Sequence, residues 1–106
     1  MDMVLLVYVT CPTMEEARSI ADRLLEEHLV ACVNLFEGGP LSLYEWKGQR
    51  EETREVLLLA KTTEARFDAL VQRVRSLHSY EVPCIVGLPI THGDQAFLEW
   101  VERQTQ

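Results

Sequence analysis

The 106-residue chain is 47% hydrophobic and 25% charged, with 10 basic and 17 acidic side chains giving a net charge of −7. That length suits one domain, residues 1–106, around one core; an acidic field with no basic stripe repels polyanions and argues against a nucleic-acid partner. Apolar runs such as VLLVYV are too short to span a bilayer, and the acidic opening MDMVLLVYVT lacks the basic start of a secretory signal, so neither membrane nor export is expected.

Val4 to Val9 is a continuous apolar run, the pattern of a central strand buried on both faces. CPTMEEARSIADRLLEEHLVAC predicts a helix: Thr13 and Glu16 have capping-box spacing, and Ala17, Ile20, Ala21, Leu24 and Leu25 form the apolar stripe. Cys32 to Phe36 is mostly apolar until EGGP breaks it, after which LSLYEW alternates. One long bent strand from about Ala31 to Trp46 is therefore expected, with Gly38, Gly39 and Pro40 at the kink. KGQREET reads as the next turn, and Val56 to Ala60 as another fully apolar strand. TTEARFDALVQRVRSLH predicts a second helix with Phe67, Leu70, Val71, Val74 and Leu77 inward. Cys84 to Ile90 is the last strand, which Pro89 makes an edge or irregular one. HGDQAFLEWVERQ predicts a final helix capped by Asp94, with Phe97, Trp100 and Val101 inward.

The two long helical segments each follow an apolar strand and precede another. This doubled unit predicts an α+β, ferredoxin-like split β-α-β fold with an added C-terminal helix. Right-handed crossovers place the first and third strands in the middle, the second and fourth at the edges, and both helices on one face. VLLVYV and VLLLA are apolar at both alternating positions, so the other face also requires burial. One short helix is too small for that, and an oligomer is expected, with LSLYEW as the edge offered to a neighbour.

Cys11, Cys32 and Cys84 form no Cys-x-x-Cys pair, which predicts reduced thiols in the cytoplasm. His78 ends the second helix, where the helix dipole favours imidazolium. Copper and zinc prefer imidazole and thiolate, so His78 is the first candidate ligand and Cys84, six residues on, the second. One histidine is not a site, because zinc centres take three or four protein ligands. His28 and His92 lack a partner at helical spacing. No acid is embedded in an apolar strand, which argues against paired-carboxylate catalysis. Cys11 before Pro12 at a helix start is the one placement suggesting an activated thiol. An enzyme is the least expected of the classes considered.

The segments ACVNL, SLYEWKG, LLLAKTT, LHSYEVP and LPITHGDQAFLEW occur in the order and spacing of the CutA proteins, the divalent-cation tolerance family, which the chain resembles from Val4 to Val101. The resemblance implies a ferredoxin-like subunit related to the PII signalling proteins, a homotrimer, and a cytoplasmic link to copper and other divalent ions. Ser79 and Cys84 stand where the family pattern has proline and glutamate. The copper ligands proposed for family members fall on Val9, Leu77 and His78, so only His78 is retained. Two expectations follow. One is a binding protein that holds Cu2+ or Zn2+ weakly or between subunits and requires no cofactor. The other is a PII-like sensor or scaffold whose small-molecule or protein ligand enters an intersubunit cleft near Tyr44, Trp46, Lys61 and His78, with Tyr80 and Glu81 within reach.

Overall fold

The structure is a computed structural model that describes residues 2–106. Strand β1 (Val4–Cys11) leads into helix α1 (Met14–Glu26), then β2 (Cys32–Phe36), β3 (Leu41–Trp46), β4 (Gln49–Arg54), β5 (Val56–Thr63), helix α2 (Glu64–Leu77), β6 (Ile85–Pro89) and helix α3 (Gln95–Gln104). Four strands form an antiparallel sheet in the order β2-β5-β1-β6, and β3 and β4 form a separate two-stranded ribbon. The central pair runs in register from Val4↔Thr63 to Cys11↔Val56. This is the expected ferredoxin-like order, with the Pro89 strand at an edge, hydrogen-bonded to β1 alone.

Alternation in β1 and β5 divides the sheet into two faces. Leu5, Val7, Val9, Cys11, Leu58 and Ala60 point to one side and pack beneath Ile20, Leu24, Leu70 and Val74 of the two long helices. Most of these side chains are wholly buried, each contributing about 2 kcal/mol through removal from water. A smaller cluster of Val4, Ala31 and Val101 seats α3. The opposite face carries Leu6, Tyr8, Leu57 and Leu59, which are only half-buried. Val86, Leu88 and Phe36 on the same side are 47%, 49% and 48% exposed.

Three expectations are corrected. The long bent strand divides in two: β2 pairs with β5, whereas β3 leaves the sheet and pairs only with β4. The break lies at Gly39, where a Cβ would stand 2.6 Å from the Glu55 carbonyl oxygen and 2.8 Å from the Leu57 nitrogen. KGQREET is not a turn throughout. Only Lys47 and Gly48, with φ of 51° and 79°, turn the chain, and Gln49–Arg54 is strand. Two successive left-handed residues are what a two-residue type I′ hairpin requires. Finally, Phe97 is 40% exposed rather than inward, while Val101 carries the burial of α3.

Candidate functional site

Where the ribbon leaves the sheet, its inner side, the open sheet face and the segment after α2 enclose a cleft of about 740 Å³. At its base lies Glu55, the residue between β4 and β5, only 5% exposed. Its backbone N–H donates to the Pro40 carbonyl at 2.9 Å. One carboxylate oxygen accepts from the Ser42 hydroxyl at 2.5 Å and the other from the Tyr80 hydroxyl at 2.7 Å. The carboxylate therefore ties the ribbon, the sheet and the segment after α2 together. Burial, then the hydrogen bond to Glu55 and that residue's charge, pushes the Tyr80 phenol well above its ordinary range, so it remains a donor.

Tyr8 and Thr10 of β1, Tyr44 and Trp46 of β3, and Glu81 and Cys84 complete the parts of the lining with chemical function. The Cys84 thiol is exposed, and partial burial followed by the Glu55 charge raises its pKa. It is therefore a poor nucleophile at neutral pH. At the rim, the Lys47 ammonium lies 5.6 Å from the centre of the Trp46 ring and 3.6 Å from a Glu81 carboxylate oxygen.

The sequence-predicted residues divide. Tyr44, Trp46, Tyr80, Glu81 and Cys84 come together at this cleft. Lys61 does not line it within one subunit and instead hydrogen-bonds the side-chain oxygen of Asn34. His78 is turned inward, its side chain fully buried. Its Nε2 pairs with the Thr10 carbonyl at 2.8 Å and its Nδ1 accepts from the Tyr80 backbone N–H at 3.1 Å. A carbonyl only accepts, so Nε2 carries a proton, while Nδ1 meets the Tyr80 N–H and lies 3.4 Å from a Glu16 carboxylate oxygen; both ring nitrogens are engaged within the fold. Among the described residues no group of three or more His, Cys, Asp or Glu side chains is placed to hold a metal ion.

Glu16 explains why only half of the predicted capping box forms. Thr13 Oγ1 accepts from the Glu16 N–H at 3.1 Å, but the Glu16 carboxylate turns away to accept from the Ser79 N–H at 3.0 Å. The activated-thiol reading of Cys11 also fails. The thiol is buried, and burial first, then the Glu16 and Glu55 charges, pushes its pKa up to about 12.

Glu55 escapes the sequence pattern, which predicts no buried acid beside an apolar strand. A signal was present. Extending the alternation of VLLLA back by one residue places Glu55 on the same side as Leu57 and Leu59, the open face.

A split β-α-β sheet with an added C-terminal helix defines a ferredoxin-like, PII-like fold. The profile described as CutA1 divalent ion tolerance protein matches residues 5–104, and the chain belongs to that family. It is 48% identical over 99 residues to the divalent-cation tolerance protein CutA of Thermus thermophilus, covering 93% of this chain and 95% of that one. The solved structure of the divalent cation tolerance protein (Cut A1) from Thermus thermophilus superposes with a TM-score of 0.93 at 46% identity, over 98% of this chain and 100% of that chain. The structure described as the periplasmic divalent cation tolerance protein CutA from Archaeoglobus fulgidus gives 0.93 at 38% identity, over 98% and 100%. The chain spans 62% of its Xenopus laevis relative and 55% of its mouse relative. The family supports a general role in divalent-cation tolerance. Among the described residues no helix is long and apolar enough to cross a membrane.

Proposed function

We propose that the chain serves divalent-cation tolerance as a cytoplasmic homotrimeric binding protein, with no catalytic turnover and no required cofactor, whose working site is the cleft at Glu55. The observation that carries the reading is a carboxylate 5% exposed at the base of an otherwise open cleft, held by two hydroxyls from separate segments. A buried acid costs stability unless its bonds are made, and so fixed a position suits a ligand better than the core. Assembly is supported by the apolar open face, and the cytoplasm by three free cysteines.

In this reading copper or zinc binds weakly, through Cys84, whose raised pKa makes the metal displace a proton, and through the cleft carboxylates completed by neighbouring subunits, while His78 serves the fold. The test is a Cu(II) and Zn(II) titration against a competing chelator, on stripped wild-type protein, Cys84→Ser and His78→Ala. Weak binding reduced by Cys84→Ser and unmoved by His78→Ala is the expected result. A chelator-resistant affinity lost only in His78→Ala would overturn this choice of donors.

The aromatic walls favour a second reading, a PII-like sensor whose cleft takes a small organic molecule. Aromatic faces and a fixed polar anchor are the usual furniture of such sites. Binding of an organic ligand by metal-free protein distinguishes it from the first.

A further inference from the structure

We infer that the cleft binds a small organic ammonium cation. The inference rests on the cleft being a ligand site and adds the class of its ligand.

Three observations converge on it. First, the described residues that line the cleft include the carboxylates of Glu55 and Glu81 but no lysine, arginine or histidine. Secondly, the Glu55 carboxylate receives only neutral donors, Ser42 and Tyr80. Among the described residues no cationic side chain pairs with it. Its negative charge is hydrogen-bonded but uncompensated, and a cation entering the cleft supplies what the hydroxyls do not. Thirdly, a cation already occupies the rim. The Lys47 ammonium stands 5.6 Å from the Trp46 ring centre and 3.6 Å from Glu81 Oε2, the pairing of aromatic face and carboxylate by which proteins recognise ammonium groups.

That internal ligand is weakly held. The Lys47 and Glu81 side chains are 72% and 70% exposed, and exposed pairs of this kind exchange freely with competitors. In a single subunit the cleft measures about 740 Å³, and the neighbours of the proposed trimer, which meet the ribbon and the open face, border it. The choice of an organic cation over a bare metal ion follows from the walls. Tyr8, Tyr44, Trp46 and Tyr80 line the cleft with aromatic rings, which attract a desolvated ammonium, whereas a divalent ion needs further donors from neighbouring subunits to complete its set. No metal-holding group of three or more His, Cys, Asp or Glu side chains occurs among the described residues.

The test uses metal-free full-length chain, with choline as the cationic probe, its uncharged carbon isostere 3,3-dimethylbutan-1-ol, and benzoate as an anion. Binding is read by calorimetry and by the indole N–H resonances of Trp46 and Trp100. The inference expects choline to shift the Trp46 resonance and leave that of Trp100, and to bind at least tenfold more tightly than the isostere. Glu81→Gln should weaken choline binding severalfold without altering the fold. Lys47→Ala should strengthen it, because it removes the tethered competitor; a lysine with a merely structural role would give no gain. Equal or tighter binding of the isostere or of benzoate at Trp46 overturns the cation inference and leaves the cleft as a ligand site. No response at Trp46 to any probe, in wild type and Lys47→Ala alike, overturns both.

Discussion

His78 and Glu55 show how differently two titratable groups are used a few residues of space apart. His78 closes a corner of the fold: its ring joins the Thr10 carbonyl to the Tyr80 N–H, and its centroid lies 4.7 Å from that of the Tyr80 ring. His78→Ala removes the partner of the buried Thr10 carbonyl and of the part-buried Tyr80 N–H, leaves a void where the buried ring sat, and should destabilise the protein by about 3 kcal/mol in denaturant titrations. Cys11 and Tyr80 make stability sensitive to alkali. Both have native pKa values raised above their ordinary ones, Cys11 from 9.0 to about 12 and Tyr80 upward from 10.0. Below pH 9 each is protonated in native and unfolded chains alike, and its contribution is fully present. Above it the unfolded chain gives up the Cys11 proton first while the native chain keeps it, so stability falls with rising pH until the native thiol titrates. Thermal melts from pH 8 to 11 should show Tm falling from about pH 9, less steeply in Cys11→Ala. A Tm constant to pH 11 would contradict the placement of both groups.

At the scale of elements, legibility followed burial. Helices α1 and α2 each pack one face against the common core and carry the matching period of 3.6, while β1 and β5, apolar on both faces, read as continuous apolar runs. The ribbon has no core face. Gln49–Arg54 is polar at every position, and nothing in its pattern distinguishes a solvated strand from a turn. Its real signature is Lys47-Gly48, two residues in left-handed conformation. Gly48→Ala should cost the hairpin about 1 kcal/mol. Gly39→Ala faces backbone atoms that cannot yield, at 2.6 and 2.8 Å, and should cost about 3 kcal/mol or displace the ribbon altogether. Chemical denaturation ranks the two variants; equal costs would mean that the ribbon is not anchored at Gly39. The candidate site was half legible for a related reason. Trp46, Tyr80, Glu81 and Cys84 stand out as residue types, but the burial of Glu55 is created by Ser42 and Tyr80, 13 and 25 residues away along the chain.

For the whole molecule, the ribbon and the open sheet face point outward together. The principal extents are 44 × 26 × 23 Å and the radius of gyration is 14.2 Å, against about 13 Å for a compact chain of this length. The excess is the ribbon, and a subunit of this shape has an arm as well as an uncovered floor. Leu88→Glu on that floor should reduce the native mass measured by sedimentation to that of a monomer, and Trp46→Ala on the arm should weaken the assembly at low concentration; an unchanged mass in both variants would contradict the proposed trimer. The strand order has a consequence in time as well. β1 lies in the middle of the sheet yet is made first, and neither neighbour exists until Val56–Thr63 and Ile85–Pro89 have been synthesised. At typical rates of translation, the apolar run VLLVYV waits on the order of 3–10 s for its first partner. During that interval α1 is the only nearby element able to shelter it, so the nascent chain depends on an amphipathic helix that in the finished protein covers just one of the strand's two sides.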